Sequence, residues 1–301
     1  MPDPEGPLLF RALRPWPTAL SPTQDVTFEL LILGWLAVFV ALRQLVLYWA
    51  AHPPKDGIGW PRLRNGLGKR PTVVTVMFHS LVVASFAFVM LASAALSDGS
   101  QLHPTLEWLW RRGVLPFSCA YWLFDLYYYC YAHEDYLIAL HHILVLVCNY
   151  PVGDLAAAEL VGMLNPTCNY LMVSYTGYTF EATTFLLYVR WVLNTVLEEH
   201  HTIYFVNNAL LLASWVFIRL IYSPYFLYVY MWPSCPTDEL PLYSLGAAVA
   251  YLLMIAMSAV WLLQMLRHGV SNFLVLNHSG QGIQPAAVIS FGSKKVPEKQ
   301  S

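Results

Sequence analysis

Charge is what this sequence has least of. Only 11% of its 301 residues are Asp, Glu, Lys or Arg, where a soluble domain carries about 25%. Hydrophobic residues make up 57%, so the deficit excludes an ordinary soluble domain and reads as an integral membrane protein. A basic excess is missing too. The net charge is -2 with a pI near 6.5, which argues against nucleic acid as a partner. Cysteine chemistry is equally thin. Cys119, Cys130, Cys148, Cys168 and Cys235 form no CxxC, and no Cys/His spacing suits zinc. Four of them lie in apolar stretches, where a thiol behaves as a small hydrophobe. No disulfide framework, no metal and no bound cofactor are expected. The proline-rich start, "MPDPEGPLLFRALRPWP", lacks a basic region followed by an apolar core, so it is not a cleavable signal peptide. The first apolar helix then acts as the insertion signal. No internal repeat is visible.

What is present is a series of long apolar runs. A membrane-crossing helix needs about 20 mostly apolar residues. Phe28–Trp49, Val73–Leu96, Val114–Ala132, a run from Tyr136, Phe205–Met231 and Leu242–Leu266 meet that need. The stretch Pro151–Glu199 is interrupted by Pro151, Gly153, Pro166 and Gly177. It holds either one spanning helix with a short or re-entrant one, or two spanning helices. Charge favours the former. The loop with Lys55, Arg62, Arg64, Lys69 and Arg70 is cytosolic by the positive-inside rule. Seven spans then put Lys294, Lys295 and Lys299 in the cytosol as well, with the acidic "PSCPTDELP" and the N-terminus lumenal or exterior. The expected fold is an all-α polytopic membrane bundle of about seven helices. Its divisions are an N-terminal segment with the first span (1–59), a main domain (60–268) and a disordered cytosolic tail (269–301).

Ionisable residues inside a bilayer are expensive, and they usually face the bundle interior or a wet cavity. Here they are His79, Asp125, His141, His142, Glu181, Arg190 and Arg219. The pair His141 and His142 sits within "YLIALHHILVLVCNY". Adjacent helical residues point about 100° apart, so the two rings cannot both face one point, and a metal site on this pair alone is disfavoured. Asp125 can orient one imidazole through Nδ1, leaving the other nitrogen as base or nucleophile. Alternatively the histidines bridge helices structurally, at about 0.6–2 kcal/mol per hydrogen bond. Glu181 and Arg190 stand nine residues apart, about 13.5 Å along a helix, so each needs a different partner. Arg43, near the end of a span, can snorkel to the surface. "EEHH" at Glu198–His201 reads as a solvated loop.

These residues carry a resemblance. The segment Trp60–Arg267 resembles the TLC domain family, which includes ceramide synthases and translocon-associated membrane proteins. The landmarks come in family order: His79-Ser80 after the basic loop, Tyr121 and Asp125 in "AYWLFDLYYY", and the pair in "LHHILVL". Next come Glu181, Thr183, Phe185, Arg190 and Trp191 in "FEATTFLLYVRWVL", then Phe217, Arg219 and Pro224 in "SWVFIRLIYSPY". The resemblance implies a helical bundle with a lipid-accessible interior lined by the histidine pair and Asp125. Tyr121, Glu181, Arg190, Asn208 and Arg219 are then cavity or structural polar residues. In ceramide synthases such residues serve acyl transfer from acyl-CoA to a sphingoid amine. If this chain does likewise, acyl-CoA is a substrate, and His141, His142, Asp125 and His79 are the catalytic set. The synthase signature after the histidine pair, with its His-Asp, is absent, although Asp154 and Glu159 are present. An extra N-terminal homeobox-like domain, as in that branch, is not expected either. The Glu181–Trp191 segment looks more like non-synthase members, which are associated with membrane lipid composition and fluidity. Three expectations follow in order: a lipid-binding or lipid-sensing protein that influences membrane composition, an N-acyltransferase, and a translocon-associated protein. Expected partners are membrane lipids, with self-association open. The expected location is the endoplasmic reticulum, with the plasma membrane as alternative.

Overall fold

The computed structural model describes residues 28–52, 61–96, 104–131, 136–153, 170–196, 202–226, 228 and 242–279. Among them there is no strand, and the architecture is an all-α bundle. The helices are α1 (Phe28–Ala51), α2 (Pro61–Lys69), α3 (Val73–Leu96), α4 (Pro104–Leu109), α5 (Leu115–Asp125) and α6 (Tyr136–Gly153). They continue as α7 (Tyr170–Tyr178), α8 (Phe180–Val196), α9 (Thr202–Ser214), α10 (Ser223–Phe226) and α11 (Leu242–Ser279). Three π-helical segments, Trp110–Val114, Leu126–Cys130 and Trp215–Tyr222, run in line with their neighbouring helices. By length and apolarity, 4 described helical stretches can cross a membrane: Phe28–Ala51, Val73–Leu96, Thr202–Phe226 and Ala248–Arg267. Tyr136–Tyr150 is apolar but shorter.

Several details differ from a plain reading of the runs. Part of the basic loop is itself a helix, α2, whose Leu67 packs between Val46 of α1 and Val73 of α3. Gly66 allows that approach, since a Cβ there would lie 3.1 Å from Thr195 Cγ2 and 3.2 Å from Trp191 Cη2. The ambiguous stretch resolves, where described, into α7 and α8 separated by a turn at Thr179. The Thr179 hydroxyl donates to the Thr176 carbonyl at 2.6 Å, a local side-chain bond that competes with helix continuation. Arg43 is only partly exposed and lies over the Tyr128 ring at 4.4 Å, a cation–π contact in place of a fully extended reach to the surface. α11 continues past the expected tail boundary to Ser279. Residues 1–27, Asp154, Glu159, Cys168, Glu198–His201, the acidic "PSCPTDELP" and the tail lysines lie outside the described residues.

Polarity is distributed inside-out. Leu45, Phe88, Val147, Phe205 and Leu263 project outward, as lipid-facing side chains do, while the interior holds both the aromatic core and the polar residues. α1 packs on α5, α3 on α7 and α8, α8 on α9, and α5 on α6. The α1–α5 contact is aromatic. Phe39 is 0% exposed and lies 5.1 Å from Phe117 and 5.9 Å from Phe124, ring centre to ring centre. Lipid tails are as apolar as these side chains, so close packing, rather than escape from water, holds the helices together. Phe39→Ala is therefore expected to lower the unfolding free energy in mixed micelles by about 3 kcal/mol. Leu45→Ala, at a lipid-facing position of the same helix, should leave it nearly unchanged.

Candidate functional site

The polar side chains converge in the bundle interior from six directions. α3 supplies His79 and Ser80, which are both 0% exposed. The His79 ring stacks on Tyr121 of α5 with centres 3.8 Å apart and planes at 15°. Its Nε2 lies 3.2 Å from Ser118 Oγ, and its Nδ1 lies 4.0 Å from Glu181 Oε2. Ser80 donates to the same Glu181 oxygen at 2.9 Å. The break at Thr179 starts α8 one residue before Glu181 and so places the carboxylate at the inner end of that helix, against α3.

Asp125 closes α5, and His142 faces it from α6, with Nδ1 at 3.5 Å from Asp125 Oδ2. Cys130 Sγ lies 4.0 Å from the same His142 nitrogen. His141 turns elsewhere, as its register requires. Its ring approaches Trp261 of α11 at 5.9 Å, and its Nδ1 is buried with no hydrogen-bond partner among the described residues.

Arg219 sits within the third π-helical segment and is 3% exposed. Its Nε donates to Thr183 Oγ1 at 2.7 Å. One terminal nitrogen donates to the Phe180 carbonyl at 3.0 Å and Thr184 Oγ1 at 3.2 Å, and the other reaches Ser258 Oγ at 3.4 Å. Trp215 lies under the guanidinium at 4.2 Å and Phe180 at 5.0 Å. A rigid five-donor fork between aromatic faces is a role that arginine fills and lysine does not.

Two cavities open beside this centre. The first, ≈ 640 Å³ including its outward-opening space, is mainly apolar, with Trp122, Val145, Val152, Phe180 and Met254 in its wall. The second, ≈ 650 Å³ on the same measure, is bordered by Tyr121, Asp125, His142, Tyr188 and Arg219. His141 and Glu181 line both. The sequence-selected His79, Tyr121, Asp125, His141, His142, Glu181 and Arg219 are thus brought together around one centre. Arg190 and Asn208 are not: neither lines either cavity, and Arg190 lies 6.0 Å from the Tyr204 ring. Cys130, Tyr188, Trp215 and Trp261 join the centre without having been singled out, because nothing distinguishes such residues from core packing in an apolar run. π-Helical turns are often found at functional sites, and here two of the three lie at this one.

A TLC domain family model matches residues 72–267. The chain belongs to the TLC domain family, and with its apolar helices it is an integral membrane protein. The matched span begins at Thr72, so α2 and its basic residues precede it. Comparison with curated proteins and with solved structures finds no match.

Hydrogen bonds involving a charged group contribute about 1.5–3 kcal/mol. Arg219→Lys, which keeps a cation but loses the fork, should lower the unfolding free energy in mixed micelles by that order. Thr184→Val removes one longer bond and should cost less. Both are read by equilibrium unfolding of the purified protein.

Proposed function

We propose that this TLC-domain protein binds single membrane lipids within its bundle and thereby influences the lipid composition and fluidity of its membrane. The observation that carries this reading is the pair of cavities meeting at His141 and Glu181. Both walls are mainly apolar, and the second also carries the ionisable side chains Asp125, His142 and Arg219, which suits a lipid with an acyl chain and a polar headgroup. The acyl chain lies against Trp122, Val145 and Met254, and the headgroup lies toward Asp125, His142 and Arg219. Ligand sites are largely apolar with a few placed polar groups. The Nδ1 of His141 at the junction, one of several buried polar atoms with no hydrogen-bond partner among the described residues, is placed to meet a polar headgroup atom. The membrane proposed is the endoplasmic reticulum, with the plasma membrane as alternative. The basic α2 region is assigned to the cytosolic side by the positive-inside rule.

Gly177 lines the first cavity, and a Cβ there meets only Tyr251 Cε2 at 3.7 Å. A larger side chain would extend into the space. Gly34 of α1 has nothing within 4 Å. Lipid extracted from the protein after exhaustive detergent exchange should fall several-fold in Gly177→Leu and stay at the wild-type level in Gly34→Leu. The reading fails if the exchanged wild type retains no lipid, or if both variants retain the same amount.

A second reading, acyl transfer to a lipid amine, is favoured by one observation: Asp125 Oδ2 faces His142 Nδ1 at 3.5 Å. A carboxylate on one ring nitrogen leaves the other as a proton acceptor for an attacking amine, while His79 stacks on Tyr121 near Ser118. Incubation of the protein in nanodiscs with long-chain acyl-CoA and sphingoid or other lipid amines tests this. Amide product that disappears in His142→Ala and persists in Gly34→Leu establishes transfer. A folded, lipid-loaded protein that yields no amide leaves lipid binding as the function.

A further inference from the structure

We propose that Asp125, Cys130 and His142 form a binding site for a divalent transition-metal ion of the zinc type. One donor atom from each residue lies within 4.8 Å of the other two. Two separations are 3.5 Å, from His142 Nδ1 to Asp125 Oδ2, and 4.0 Å, from His142 Nδ1 to Cys130 Sγ. All three side chains are buried.

Four features favour an ion over a chance cluster. The first is convergence. Carboxylate and thiol approach the same imidazole nitrogen, whereas a nucleophile–base–acid relay needs them on opposite ring nitrogens. Donors that meet at one point suit a cation. The second is spacing. Zinc takes nitrogen and oxygen at about 2.0–2.2 Å and sulfur at about 2.3 Å, so tetrahedral partners stand roughly 3.3–3.6 Å apart. A direct N–H···O bond would be about 2.7–3.2 Å. The 3.5 Å to the carboxylate is long for a direct bond, the 4.0 Å to sulfur is at the outer limit of a sulfur contact, and the set, all within 4.8 Å, would contract around an ion. The third is charge. An ionised carboxylate and a thiolate are each costly in a low-dielectric interior, and a divalent cation balances both while a neutral imidazole completes the set. The fourth is access. Asp125 and His142 border the second cavity, so a fourth coordination position on that side can take water or a lipid carbonyl oxygen, the arrangement of open zinc sites.

The backbone explains why the donors meet. In a regular α-helix, residues five apart point about 140° away from each other. Asp125 immediately precedes a π-helical segment, Leu126–Cys130, that ends on Cys130 and whose bonding links residues five apart. The wider turn brings both side chains to the α6 side, opposite His142. Binding would release the thiol proton to solvent.

The test uses the full-length protein in detergent, stripped with a chelator, reloaded with Zn²⁺ or Co²⁺ and freed of excess ion. Stoichiometric zinc is expected in the wild type and in Cys148→Ser, with at least tenfold weaker retention in Cys130→Ser. Cobalt should give a thiolate-to-metal charge-transfer band in the wild type and Cys148→Ser. The band should be absent in Cys130→Ser. Elution volume and thermal melting establish that each variant is folded. If Cys130→Ser does not fold, the wild-type and Cys148→Ser cobalt spectra decide. Absence of stoichiometric metal in the wild type, equal retention in folded Cys130→Ser, or a cobalt spectrum without the thiolate band overturns the proposal.

Discussion

Arg219 is the group around which the centre of the bundle is organised. A guanidinium inside a membrane protein must have its donors met by protein, because the hydrocarbon offers none of the hydrogen bonds that water would. Here the partners are the Phe180 carbonyl and the hydroxyls of Thr183, Thr184 and Ser258, which lie on α8 and α11, while Arg219 itself lies on the π-helical segment that continues α9. Trp215, which supports the guanidinium from below, also donates its indole N–H to the Ser258 carbonyl at 3.0 Å. One side chain thus fixes the relative positions of three helices. The position of Glu181 follows, since it directly succeeds one of those partners, Phe180, in the chain.

From Glu181 the organisation spreads to α3 through Ser80 and to α5 through His79, Ser118 and Tyr121. It reaches α6 through Asp125 and His142. The apolar contacts are laid out around this chain of polar ones rather than replacing it. Phe39, Phe117 and Phe124 close the α1 side, and α2 is held against α8 by the close approach at Gly66. With packing as the general force between helices in lipid, the polar contacts are what distinguish one arrangement of similar apolar cylinders from another. The two cavities lie beside this polar spine, and their common residues, His141 and Glu181, belong to it.

The arrangement also separates the two members of the histidine pair. His142 faces Asp125 and Cys130, and His141 faces Trp261 and the junction of the cavities. The 100° offset between neighbours on a helix turns a single dipeptide into two positions with different surroundings.

Much of this was legible in the sequence, for definite reasons. Membrane insertion, helical class and four of the roughly seven expected spans follow from apolar run length, because a bilayer core sets a minimum length for a crossing helix. Seven of the nine polar candidates reach the centre for a similar reason: a titratable residue in an apolar run has few tolerable positions other than the bundle interior. Arg190 and Asn208 show the limit, since position in the chain does not say which face of a helix meets its neighbours. The placement of Cys130 depended on tertiary structure. Its sequence distances from Asp125 and His142 match no metal spacing, and α-helical periodicity would turn it away from both. Only the π-helical turn, a local departure in backbone hydrogen bonding, brings it round, and only the packing of α6 against α5 supplies the histidine that it meets.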